Sequence, residues 1–318
     1  MYSYRPVEQP DRNNSPSISN QKLSLYTAGL HLLQAIIALV LVFRLNSQTV
    51  NNNGGIFSLT KDIQIWTPLL NSSLGDGAGN SFVGNYSLTY TNVYVGKLDV
   101  RYSIVAFFIL SAFFQGTSSI LSPELWFNTI TSQWRYLEYS ISASVMIICI
   151  AVEAGISDVY TIVCIFTLIF ATQILGLLAD LLSTLTANVA FPQNDIILYT
   201  FGQWTWVVPH MAAWCTCITA YSPILDAYFQ SVSHSPSANV PGFVTGLIMA
   251  EMILFVCFGF VQAYSLVYKT LIIQTGMNNN EALDALQERV ERMFIILSLT
   301  AKSILAWVIL APILMASN

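Results

Sequence analysis

The stretch MFIILSLTAKSILAWVILAPILM, Met293–Met315, holds a single charged residue, Lys302. About twenty apolar residues in a helix cross the hydrocarbon layer of a bilayer. This run therefore reads as a membrane-spanning helix with a cation near its middle. An unpaired lysine at that depth costs about 2.5–3.5 kcal/mol on insertion scales. A chain that keeps it needs a partner for the charge, a use for the amine, or both.

The rest of the chain has the same character. Of 318 residues, 54% are hydrophobic and only 9% are charged, with a mean hydropathy of +0.59. A soluble domain carries about 25% charged residues, so most of this chain belongs in lipid. Seven apolar segments are long enough to span, near 24–44, 101–121, 129–154, 156–179, 201–221, 241–268 and 291–315. The expected architecture is an all-α membrane protein, a seven-transmembrane helix bundle forming one domain over 23–318. Residues 1–22 are polar, with Pro, Asn and Ser and no apolar core, and read as a disordered cytoplasmic tail, not a signal peptide. Segments three and four are separated only by Ala154-Gly155-Ile156, which predicts a tight hairpin. Ser122-Pro123-Glu124 has the residue order of a helix start, so helix three is expected to begin in the aqueous layer.

Lysine and arginine orient the bundle. With the N-terminus in the cytoplasm, the inner side holds Arg5, Arg12, Lys22, Arg135, Lys269, Arg289 and Arg292, and the outer side Arg44, Lys61, Lys97 and Arg101. This excess favours a cytoplasmic N-terminus and an extracellular C-terminus. The long first loop, 45–98, then lies outside, where its Asn-x-Ser sequons at Asn71 and Asn85 are glycosylation acceptors. Within it, SFVGNYSLTYTNVYV (Ser81–Val95) alternates polar with aromatic or β-branched residues after a Gly/Asn-rich turn region, predicting a small extracellular β-hairpin over the bundle mouth or a dimer seam.

Other classes find little in the sequence. Net charge is −5 without a basic patch, which speaks against nucleic acid. The five cysteines all sit in apolar runs, where they read as small buried hydrophobes rather than a disulfide framework or metal site. No Ser–His–Asp arrangement, zinc spacing or phosphate loop is evident, so no enzyme is expected.

Glu138 is the natural counterpart of Lys302. It lies eight residues beyond Ile130, as Lys302 lies nine beyond Met293, and both helices enter from the same side. At 1.5 Å per residue both sit roughly 12–14 Å in. Arg135, three residues before Glu138 on one helix face, is placed to hold that carboxylate ionised. Two readings stand at this point. A plain Lys–Glu bridge would stitch two helices together. Alternatively Lys302 is a Schiff-base lysine, whose chemistry needs a dry pocket and one compensating carboxylate. The small or hydroxyl neighbours Ser298, Thr300, Ala301 and Ser303 leave room for a large ligand, and the apolar walls hold Trp204, Trp206, Trp214, Phe255, Phe258 and Trp307.

With seven spans, RYLEY (Arg135–Tyr139) on helix three and SLTAKSILAW (Ser298–Trp307) on helix seven, the chain resembles the microbial-type rhodopsins. More specifically it resembles the heliorhodopsins, which share the inverted topology reached above from charge. ILGLLAD (Ile174–Asp180) and PGFVTG (Pro241–Gly246) are weaker matches. The resemblance implies all-trans retinal bound to Lys302 as a protonated Schiff base, with Glu138 as its counterion and Ser298, Ser142, Met146, Trp204 and Phe258 in its pocket. Ser298 stands where ion-pumping rhodopsins carry a second acid, leaving one counterion. His31 matches a histidine usual in helix one. Gln115 replaces the usual second histidine and cannot take up a proton; Ala301 replaces a serine and Asp180 a glutamate. His31, Gln115, Arg135, Asp180 and Glu251, an additional acid at mid-membrane, are the expected proton or polar network.

The implied function is a light-sensing retinal photoreceptor in the membrane lipid, a homodimer signalling through a cytoplasmic partner. The alternative is a light-gated proton or cation conductance through Glu138, Glu251 and Glu153. A gate lock in a transporter or receptor that does not sense light is the remaining reading.

Overall fold

The computed structural model describes residues 16–47, 60–72, 86–120, 130–188, 204–234, 242–275 and 279–316. Seven helices run in chain order: α1 (Pro16–Ser47), α2 (Val100–Ile120), α3 (Ile130–Glu153), α4 (Val159–Asn188), α5 (Val207–His234), α6 (Gly242–Thr275) and α7 (Asn279–Ala316). Strands β1 (Thr60–Ser72) and β2 (Tyr86–Asp99) lie between α1 and α2. Consecutive helices pack side by side from α1 to α5, and α7 packs against both α6 and α1. Six of the seven helices are long and apolar enough to cross a membrane; α5 falls short of that apolarity. The chain is an integral membrane protein.

Several ends differ from the sequence reading. α1 begins at Pro16, inside the stretch read as a disordered tail, while 1–15 lie outside the described residues. Proline suits a first helical turn because the missing N–H has no partner there anyway. The Ser122-Pro123-Glu124 helix start also lies outside the described residues. α5 begins at Val207 instead of near 201, because Trp204–Trp206 form a turn whose carbonyls accept from Val207 and His210. It then runs through Pro223, where the apolar run seemed to end. α7 begins at Asn279 instead of 291. Leu286, Val290 and Phe294, spaced four apart, form one buried stripe against Tyr139, so the charged stretch before the span is an amphipathic helix and not a loop.

The hairpin is present, antiparallel, with a bulge between Ile63 and Gln64. It also includes β1, whose TKDIQIWTPLLNS the sequence reading did not assign to a strand. Asn71 lies in β1, and Asn85 lies outside the described residues. At the end of β2 the chain enters α2 directly. Asp99 caps that helix, accepting from the Arg101 backbone N–H at 3.0 Å and from its guanidinium at 2.5 Å. The α3–α4 link is as tight as expected. Gly155 takes a φ of 106°, a left-handed conformation that glycine adopts freely, while the Ile156 N–H returns to the Ala151 carbonyl at 3.0 Å. Asp158 caps α4 through the Thr161 N–H at 2.7 Å. β1 docks on this link, with Gln64 N–H donating to the Ser157 carbonyl at 2.9 Å.

One gap in the bundle bears on the site. α5 packs closely on α4, but its backbone stays apart from those of α6 and α7. Side chains bridge to α6: Trp214 lies against Phe260 and Tyr221 against Phe255, while Trp206 Nε1 donates to Thr270 Oγ1 at 2.9 Å. The space between them is where a ligand fits.

Candidate functional site

Lys302 and Glu138 meet in the bundle interior. Lys302 Nζ donates to Glu138 Oε1 at 2.7 Å, with side chains 3% and 5% exposed. The matching depths counted from two helix starts thus correspond to a real contact. The Tyr139 ring lies under the amine, 5.4 Å from Nζ to its centroid, and the Tyr139 hydroxyl donates to the Phe294 carbonyl at 3.1 Å. Tyr139 is therefore part of the site, a role the sequence reading did not give it.

Lys302 lines a cavity of about 780 Å³, counted to its open mouth. α3 contributes Tyr136, Tyr139, Ser142, Ala143 and Met146; α7 contributes Phe294, Ser298, Ala301 and Lys302. Opposite them stand Thr172 and Gln173 of α4, His210, Ala213, Trp214 and Cys217 of α5, and Phe255, Phe258, Gly259 and Gln262 of α6. Gly259 is needed: a Cβ there would fall 2.3 Å from the Trp214 ring. Among the described residues no carboxylate lines this cavity.

Of the expected pocket residues, Ser298, Ser142, Met146 and Phe258 line the cavity and Trp204 does not. Trp204 precedes α5 and packs on Trp206, with ring centroids 5.5 Å apart. Because α5 starts late, Trp214 takes the wall position instead. His210, Gln262 and Gln173 also line the cavity, and the sequence reading had singled out none of them. The hydroxyl of Ser142 is buried and has no partner among the described residues.

The expected polar network divides into parts. A second cavity, about 350 Å³, adjoins Glu138 and is lined by Ser24, Gln115, Ser118, Arg135 and Glu291 among others. Arg135 does not pair with Glu138. Its guanidinium is bound to Glu291 and lies over the Phe294 ring at 4.1 Å. Glu291 stands at the very start of the last apolar segment, and the sequence reading gave it no role. Asp180 takes Lys269 as its partner at 2.5 Å. His31 is fully buried between α1 and α2, against Phe108, and lines neither cavity. Glu251 is also fully buried on α6, with neither oxygen partnered among the described residues.

Buried charges at these positions need each other. Removing one member of such a pair strands the other, at a cost of about 3–5 kcal/mol, whereas apolar residues at both positions cost little. Arg135→Met and Glu291→Leu are each expected to lower the temperature of thermal inactivation markedly, and the double variant to recover most of the loss. Thermal unfolding of the purified protein in detergent measures this; additive losses would contradict the pairing.

Residues 21–314 match the protein-family model of the heliorhodopsins. The chain belongs to the heliorhodopsin family. No match was found among curated proteins. A heliorhodopsin is a retinal-binding rhodopsin, and the site fits that cofactor. The cavity is largely apolar, no carboxylate among the described residues lines it, and a buried amine stands at one wall of it. The serines at 142 and 298 keep the space beside the amine open.

Proposed function

We propose that this heliorhodopsin is a light sensor in which Lys302 binds all-trans retinal as a protonated Schiff base and Glu138 is the single counterion. The Lys302–Glu138 contact, at the wall of a cavity that no carboxylate among the described residues lines, carries this reading. Condensation of the amine with the aldehyde releases water. A lysine that enters as ammonium leaves one positive charge on the imine nitrogen, so Glu138 faces a cation before and after loading. Retinal supplies light absorption and a change of shape. The residues supply its environment: Glu138 balances the charge, Tyr139 and Phe258 wall the chromophore, and Ser298 adds no second charge beside the amine. A pump needs a further group to pass a proton on, and Ser298 does not provide one.

The proposed orientation puts the N-terminus in the cytoplasm and the hairpin outside, with Asn71 and Asn85 as glycosylation acceptors. Trp66, Val93, Tyr94 and Val95 of the hairpin are exposed. Because strands alternate faces, Val93 and Tyr94 present apolar groups on both sides of a two-stranded sheet, which supports a homodimer seam there. Signalling then passes through a cytoplasmic partner and no enzymatic turnover is involved.

A second reading, a light-gated proton or cation conductance, has one observation in its favour. Glu251 and Glu153 are both buried, and neither their carboxylate oxygens nor the Tyr221 hydroxyl has a partner among the described residues. Whole-cell recording with all-trans retinal separates the two. The sensor is expected to give a coloured protein and no photocurrent at any holding voltage. Currents that reverse with voltage would establish the conductance, and steady current at zero voltage a pump.

A further inference from the structure

The amine of Lys302 has two neighbours on α3, and only one of them is a charge. Glu138 accepts its hydrogen bond at 2.7 Å. Tyr139, the next residue, presents its ring to the same nitrogen, with 5.4 Å from Nζ to the ring centroid. The face of an aromatic ring is negative in potential and attracts a cation within about 6 Å, most strongly where water is excluded. Water is excluded here, because Lys302 is 3% and Tyr139 6% exposed. The two neighbours also stand differently toward the cavities. Glu138 lines the second cavity and not the first, whereas Tyr139 lines both. Since no carboxylate among the described residues lines the large cavity, the amine meets the Tyr139 ring on that side.

The ring is held in place from α7 itself. The Tyr139 hydroxyl donates to the Phe294 carbonyl, two turns before Lys302, at 3.1 Å. Ser298, one turn before Lys302, lies within reach of the same hydroxyl. Phe258 meets the ring edge to face at 5.6 Å. A hydroxyl that donates to a carbonyl carries its proton, so Tyr139 is not a second anion and acts through its π face. We propose that the Tyr139 ring is a second stabiliser of the cation at Lys302 Nζ, uncharged and on the cavity side of the nitrogen. The charge of the protonated Schiff base is then shared between the Glu138 carboxylate and an aromatic face. The proposal rests on the retinal reading above and gives Tyr139 a part in holding the imine proton, beyond forming a wall.

The test separates the ring's charge distribution from its volume. The full chain is loaded with all-trans retinal, and spectrophotometric titration gives the pH at which the visible band yields to the near-ultraviolet one. Position 139 is then occupied in turn by phenylalanine, 4-fluorophenylalanine and 3,4,5-trifluorophenylalanine, introduced by stop-codon suppression. Fluorine draws electron density from the ring face and changes its size little. The midpoint should fall stepwise along this series, and Tyr139→Leu, which has no ring, should lie about 1 pH unit below the wild type. A midpoint constant across the aromatic series overturns the inference, whatever Tyr139→Leu does, because packing alone does not respond to fluorine. A wild-type chain that forms no pigment overturns the retinal reading itself, and this inference with it.

Discussion

Alanine at position 302 is expected to abolish the visible absorption band completely, because it removes the amine to which retinal attaches. The loss must be separated from misfolding. Lys302→Ala alone leaves Glu138 buried without its partner, at about 3–5 kcal/mol, and a marginal membrane protein can unfold at that cost. The informative variant is therefore Lys302→Ala combined with Glu138→Gln, which removes both charges of the 2.7 Å pair. This double variant should reach the membrane, elute as a monodisperse species in detergent and remain colourless with all-trans retinal. A visible band in a folded protein lacking Lys302 would mean that another group holds the chromophore.

The second large effect is at Glu138. A protonated imine in a dry cavity is held by the nearest opposite charge, and an opposite charge within about 4–6 Å favours the charged form. No carboxylate among the described residues lines the cavity, and Arg135 directs its guanidinium to Glu291, so nothing among the described residues replaces Glu138 when it is neutralised. In Glu138→Gln the visible band should give way to a near-ultraviolet one at a pH about 1–3 units lower than in the wild type. On acidification the recovered band should lie to the red, since charge no longer anchored at the nitrogen spreads along the polyene. Spectrophotometric titration measures both. A titration and colour unchanged from wild type would assign the counterion elsewhere.

Why these two residues were legible before any coordinates has a simple physical basis. A lone cation in an apolar run demands a partner, and counting residues from two helix starts on the same side of the membrane gives depth at 1.5 Å per residue. Lys302 and Glu138 matched in depth, and the contact followed. The α3–α4 link was legible for a similarly local reason, because only three residues with a glycine among them separated two apolar runs.

What escaped the sequence depended on helix phase and on helix ends. The charges in 279–292 disguised a helix, although the spacing of Leu286, Val290 and Phe294 was visible. With no role given to Glu291, the partner of Arg135 was misassigned. Placing helix five at 201 put Trp204 on the cavity wall; starting it at Val207 gives that place to Trp214 and brings His210 in beside it. Gly259 became interpretable only once the Trp214 ring was found against it. Apolar patterning locates spans well, but it does not fix the rotation of a helix whose faces are nearly all apolar, as in α4 and α6.

The central claim is that retinal is joined to Lys302, and chemical trapping of that bond tests it most directly. The illuminated pigment is treated with sodium borohydride, which reduces the imine to a stable secondary amine, and the digested protein is analysed by peptide mass spectrometry. A retinyl group is expected on the peptide containing Lys302 and on no other lysine peptide. A retinyl group on a different lysine, or a coloured protein that yields no adduct, would contradict it.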